Sequence, residues 1–152
     1  MSNRREQIRM SDAEMWDFIE QQKSLQVGTL MADGSIHLST LWFAMINQDS
    51  GDQGSEKRLV FETYTKSQKI LNLQRDPRIT CLVEDGTEYN TLRGAMLKGT
   101  AELVTGDAVH AMALEVMVRN TPGIDRETLS QAAEHMARKR TAVIVHPTSI
   151  VT

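Results

Sequence analysis

Several things are scarce in this chain, and each scarcity removes a class of protein. It holds one cysteine, Cys81, in 152 residues, so no disulfide can form within it and a disulfide-stapled scaffold is excluded. That cysteine stands mid-run in RITCLVE, residues 78–84, where a small buried hydrophobe is expected rather than a reactive thiol. A basic excess is missing: 17 basic against 20 acidic residues leave a net charge of −3, which weighs against a nucleic-acid binder. No apolar run approaches the length of a membrane span, and the first residues lack an apolar signal core. The expectation is a soluble, cytoplasmic protein.

Catalytic signatures are scarce too. The sequence has no G-x-G-x-x-G or Walker pattern, no G-x-S-x-G elbow and no evident acid–base pair. His37, His110, His135 and His146 are scattered, without the i, i+4 spacing or cysteine cluster of a metal site, so no metal is expected. His37 alternates with Leu38 along a strand, where it lines a groove or sits at the surface. An enzyme built on this chain would take its hard chemistry from a cofactor.

What is present reads as one domain over residues 1–152. Ser11 and Glu14 form a capping box, and Met15, Phe18 and Ile19 share one face of the helix they open. Two strand-like runs then flank Asp33-Gly34, a strong hairpin signal. The second run is apolar on both faces, with Ile36, Leu38, Trp42, Ala44 and Ile46 on one and Leu41, Phe43 and Met45 on the other. Such a strand is covered on both sides, by a barrel interior and by a helix or second subunit. Residues 47–57 read as a polar loop, residues 58–64 and 78–84 as strands, and 91–104 as a long strand that Gly94 and Gly99 bend. Two helices follow, separated by Thr121-Pro122-Gly123. A last strand begins near Thr141 and is ended by Pro147. About six antiparallel strands of this kind suggest a small barrel.

The chemistry concentrates in FETYTKSQKILNLQRDP, residues 61–77. A strand passes through Thr63, Thr65, Lys66, Ser67 and Lys69 and becomes a helix from Ser67 to about Arg75, stopped by Asp76-Pro77. A helix start offers free N–H groups and a positive dipole end. Hydroxyls and an ammonium there suit an anion, phosphate above all. Three or four such contacts, each contributing roughly 1.5–3 kcal/mol, with a packed ring system would reach the roughly 8 kcal/mol of micromolar binding. The plain alternative is an ordinary helix cap with solvated lysines. Arg93 shares a strand face with Ala95, Leu97, Ala101 and Leu103 and wants an anionic or aromatic partner. An ion pair with Glu88 or Asp85 is its plain alternative.

Taken together, LQVGTLMADGSIHLSTLWF, LVFETYTKSQKILNLQRDPRITCLVE and LRGAMLKGTAELV resemble the flavin/deazaflavin split-barrel family, the pyridoxamine 5′-phosphate oxidase-like superfamily. The stretch from Thr63 to Pro77 is the most specific piece. The resemblance implies a six-stranded antiparallel split β-barrel with flanking helices, a homodimer with two cofactor grooves at its interface. FMN or the deazaflavin coenzyme F-420 would bind there. By position, Ser39 and Thr40 would line the groove, and Glu62 and Thr63 would contact the cofactor mainly through backbone. Ser67, Gln68 and Lys69 would hold its phosphate, and Arg93 would approach from the long strand, of this or the other subunit.

The implied activity is that of an oxidoreductase, with hydride passing to an unsaturated small molecule. The capping-box helix and the region from EYNTLRG to KGTAELV look like the F-420-dependent branch. The arginine- and histidine-rich C-terminal motif of pyridoxamine phosphate oxidase itself is not found. The competing classes are a non-catalytic flavin, haem or tetrapyrrole binder of the same fold, and a barrel that has lost its ligand.

Overall fold

A computed structural model describes residues 4–49 and 54–152. The elements run α1 (Arg4–Ile8), α2 (Asp12–Gln21), β1 (Ser24–Leu30), β2 (Ile36–Trp42), β3 (Ala44–Asp49), β4 (Ser55–Tyr64), α3 (Gln68–Arg75), β5 (Arg78–Asp85), β6 (Arg93–Val104), α4 (Asp107–Asn120), α5 (Arg126–Ala137) and β7 (Arg140–Val151). The fold is mainly β. Its strands form one antiparallel seven-stranded sheet in the order β2-β1-β5-β6-β7-β4-β3, whose two edge strands do not pair with each other. The expected six strands are therefore seven, in a sheet that curls without closing.

The extra strand comes from a break at Phe43. Residues 36–42 pair with β1 and residues 44–49 with β4, so one apolar run serves opposite edges of the sheet. Phe43 is fully buried, and its carbonyl accepts from Arg119 Nη1 and Asn120 Nδ2, each at 3.3 Å, instead of joining a ladder. The Arg119 guanidinium lies 4.4 Å from the centre of the Phe43 ring and also donates to the carbonyls of Ile19 and Glu20 at the end of α2. One arginine thus fastens the strand corner, the end of α2 and the end of α4.

The inner face of the sheet makes the main core, with Leu25, Val27, Leu59, Phe61, Cys81, Leu97 and Val143 among its buried residues. Phe18 and Ile19 of α2 join it, as do Ile70 and Leu73 of α3. Burial pushes the Cys81 thiol up to about 12, so it stays protonated among apolar neighbours, as the run around it suggests. On the outer face α4 packs over β3, β4 and β7, and Ala44, Val60, Val116 and Ile144 form a second buried cluster beneath it. The helix expected over one face of the long run is therefore α4, and it covers Ala44 and Ile46. It does not cover Ile36, Leu38 and Trp42, which are 67, 71 and 51% exposed.

Two boundaries differ from expectation. β7 does not end at Pro147 but continues to Val151, still paired with β6. Beyond Val145 its other edge has no partner among the described residues, and a bulge between the pairs at Lys98 and Gly99 absorbs the proline, which has no N–H to give. Gly99 lies against that bulge: a Cβ there would sit 2.0 Å from the His146 carbonyl oxygen. The strands β3 and β4 also extend to Asp49 and from Ser55, shortening the polar loop expected over 47–57; residues 50–53 lie outside the described residues. The hairpin at Asp33-Gly34 forms as expected. Gly34 takes a φ of 86°, and the Asp33 carboxylate accepts from Ser35 N–H at 2.9 Å and Ser35 Oγ at 2.5 Å. No helix among the described residues is long and apolar enough to cross a membrane.

Candidate functional site

α3 leaves the end of β4, delivers the chain to the start of β5, and packs against β1 and β6. The turn into it is tightly held. Thr65 N–H donates to the Lys139 carbonyl and Ser67 N–H to the Tyr64 carbonyl, both at 2.9 Å. The hydroxyls of Thr65 and Thr141 meet at 2.9 Å.

Ser67 then occupies the N-cap position with φ −68° and ψ 155°, extended as a cap should be. Ser11 before α2 and Asp125 before α5 share that geometry, and both accept from the backbone three residues on. Ser67 does not, and its Oγ is buried without a hydrogen-bond partner. The first N–H groups of α3 are left to an outside acceptor.

Lys69 is the second residue of α3, within its first turn, and half-buried. Burial lowers its pKa below the ordinary lysine value, and among the described residues no carboxylate pairs with it. A desolvated cation without a counter-charge is costly unless something anionic completes it. An uncapped helix start, a free serine hydroxyl and this ammonium form a cradle of one sign.

The neighbouring backbone has a strand edge without a ladder partner among the described residues. Residues 61–64 of β4 pair with β7 on one side, while the ladder to β3 stops at the Ala44–Val60 pair. β2 pairs with β1 along its length and has no partner on its other edge among the described residues. Two strips of unladdered backbone therefore remain among the described residues, one on β4 leading into the cradle and one on β2. Such strips supply N–H and C=O groups to a flat polar ligand.

The expected site residues are not all brought together. Ser67, Gln68 and Lys69 share the first turn of α3, and Glu62 and Thr63 lie on the free stretch of β4. Ser39 is half-buried on the inner side of β2 with its Oγ also buried and unpartnered. Thr40 points the other way, exposed, because successive strand residues alternate faces. The Glu62 carboxylate turns away from the cradle to Arg140, 2.8 Å off, leaving only its backbone for contact. Gln68 spends its amide nitrogen on Asn72 Oδ1 at 2.8 Å. Arg93 pairs with Asp85 at 2.6 Å and stacks 4.9 Å from the centre of the Phe18 ring, so it finds both an anionic and an aromatic partner. It stands at the opposite end of β5 from α3, about 23 Å away at the usual rise per strand residue.

Sequence reasoning passed over Asn72. It is fully buried, and its Nδ2 donates to Thr29 Oγ1 at 3.0 Å while its Oδ1 accepts from Gln68. This side chain ties the first turn of α3 to β1. An asparagine mid-helix among apolar neighbours was its visible signal, since a buried amide needs partners.

The sequence profile described as pyridoxamine 5′-phosphate oxidase matches residues 11–152.

The chain belongs to that family.

The pyridoxamine 5′-phosphate oxidase match takes in every element from α2 to β7. Solved structures agree in fold. A conserved hypothetical protein of Mycobacterium tuberculosis is 35% identical, with a TM-score of 0.80 over 93% of this chain and 82% of that one. An F420 reductase aligns at 23% identity and a TM-score of 0.62, over 88% of this chain and 93% of its own. HutZ, the haem storage protein of Vibrio cholerae, aligns at 16% and 0.63, over 91% and 92%. The last two are similar in fold alone. No curated protein matches the chain.

Proposed function

We propose that the protein is an oxidoreductase that binds coenzyme F-420, or FMN in its place, along the cradle and strand edges described above. The observation that carries this reading is Lys69: a half-buried ammonium without a carboxylate, beside an N-cap serine whose hydroxyl caps nothing. Lys69, Ser67 and the first N–H groups of α3 would hold the phosphate. The free backbone of Glu62 and Thr63 and the Ser39 hydroxyl would orient the ring between β4 and β2. A reduced flavin or deazaflavin held by these residues would supply hydride chemistry toward an unsaturated small molecule. The protein contributes position and an apolar wall that keeps water away, so no side-chain nucleophile is required. The neighbour named as an F420 reductase supports the choice of F-420.

Ile36, Leu38 and Trp42, with Leu82 beside them on β5, leave an apolar surface on the outer face of the sheet. A cleft of about 580 Å³ is lined there by Ile36, Leu38 and Leu82, with Arg78 and Lys98 also in its wall. A second copy of the chain is the proposed cover, because exposed apolar patches of this kind mark interfaces. A dimer would also bring a partner's Arg93 within the range of possible groove residues, which a single subunit does not do.

The test is titration of the purified protein with coenzyme F-420 and with FMN, followed by fluorescence quenching. Micromolar or tighter binding of either supports the reading. Binding of neither, with a Soret band in the purified protein or on adding haemin, favours the haem-binding alternative.

A further inference from the structure

Six side-chain atoms among the described residues are buried without a hydrogen-bond partner; Ser67 Oγ lies in the cradle itself, and His37 Nδ1 and Ser39 Oγ lie together on the inner side of β2. A buried polar atom without a partner costs about 1–3 kcal/mol, so a cluster of them beside free strand edges points to a ligand. His37 lies on β2 directly opposite Thr29 of β1, and Thr29 Oγ1 is the atom that holds Asn72 of α3. The imidazole is thereby one strand away from the helix that carries the cradle. Ser39 follows two residues later on the same side of the strand, with about 6.6 Å between the two attachment points. Both groups can donate or accept, as a ring edge with alternating carbonyl and N–H groups requires.

We infer that His37 is a ligand-contacting residue: its Nδ1 hydrogen-bonds the polar edge of the ring whose phosphate lies in the α3 cradle, and Ser39 shares that edge. The inference rests on the proposed cofactor reading and adds to it the group that reads the ring rather than its tail. Nδ1 and Nε2 are distinguishable by substitution. An asparagine amide ends near the position of Nδ1, and a glutamine amide near that of Nε2. Phenylalanine keeps the planar ring and removes both.

The experiment measures the affinity of wild type and of His37→Phe, His37→Asn and His37→Gln for FMN, coenzyme F-420 and riboflavin, which is FMN's ring system without phosphate. His37→Phe should weaken every ring compound the wild type binds about tenfold, the scale of one buried hydrogen bond. His37→Asn should recover most of that loss and His37→Gln should not. Circular dichroism and melting of each variant check that the fold is kept. In the wild type, the His37 side-chain nitrogen signal in an NMR spectrum should move on binding while those of His110, His135 and His146 stay. Wild-type affinity in a folded His37→Phe variant, or recovery by glutamine instead of asparagine, would overturn the assignment while leaving the cofactor reading intact. Failure of the wild type to bind any of the three would overturn both.

Discussion

Lys69→Ala is the most direct perturbation of the cradle. In the folded chain the ammonium is half-buried, and nothing of opposite charge pairs with it among the described residues. A hydrogen bond from such a group to phosphate contributes about 1.5–3 kcal/mol, so its loss should weaken FMN or F-420 binding about 10- to 150-fold. Stability should respond in the opposite sense. Burial disfavours the charged form, so the folded pKa lies below the unfolded one. Between those two values the unfolded chain binds more protons, and stability rises with pH through that window. Below that window the lysine is charged in both states and its desolvation penalty is present in full. Alanine removes the penalty, leaves no partner stranded and suits a helix, so the melting temperature at pH 7 should stay level or rise. The assay is quenching titration of both proteins with FMN, F-420 and riboflavin, alongside thermal melts at pH 7. Riboflavin, lacking phosphate, should bind both proteins within about twofold, because the lost hydrogen bond belongs to the phosphate. Equal FMN and F-420 affinities in the variant, or equal losses for FMN and riboflavin, would refute the phosphate role of Lys69.

Asn72→Ala should strand Thr29 and Gln68, cost about 2 kcal/mol and lower the melting temperature by roughly 4–8 °C, with a matching loss of ligand affinity because the first turn of α3 loosens. A variant as stable as wild type would show that the Asn72 links do not hold that turn. Gly99→Ala places a Cβ 2.0 Å from the His146 carbonyl, so it should separate β6 from β7 at the bulge and cost about 3 kcal/mol or more. Gly28→Ala, whose nearest atoms lie at 3.4 Å, is the matched control, read by chemical denaturation. Ile36→Asp with Leu38→Asp should convert a dimer to a monomer in light scattering; a wild-type protein already monomeric at 100 μM would remove the second-copy proposal.

Much of the fold was legible because its signals are short. The Ser11–Glu14 capping box, the Asp33-Gly34 turn, the start of α3 at Ser67 and the two late helices each depend on residues within a few positions. Strand alternation likewise sorts the apolar run into two faces, and it separates Ser39 from Thr40, which stand on opposite sides of β2. The break at Phe43 was not legible. It is made by Arg119 and Asn120, 76 and 77 residues away, which take the carbonyl a continuous strand would have used. The Arg93–Asp85 pair was among the alternatives the sequence offered, but the separation of Arg93 from α3 was hidden, since only the pairing of β5 with β6 sets it.

Residue order alone settled the kinds of element, their sequence, and the hydroxyl and lysine cluster at one helix start. Helix caps, turns and periodic burial are governed by neighbours along the chain, so they are written in it directly. Packing decided the rest: seven strands rather than six, a sheet left unclosed, a half-buried Lys69 without a counter-charge among the described residues, and an Asn72 that ties α3 to β1. Those outcomes depend on which distant groups satisfy a buried carbonyl, amide or ammonium, and that is settled only when the chain has closed on itself.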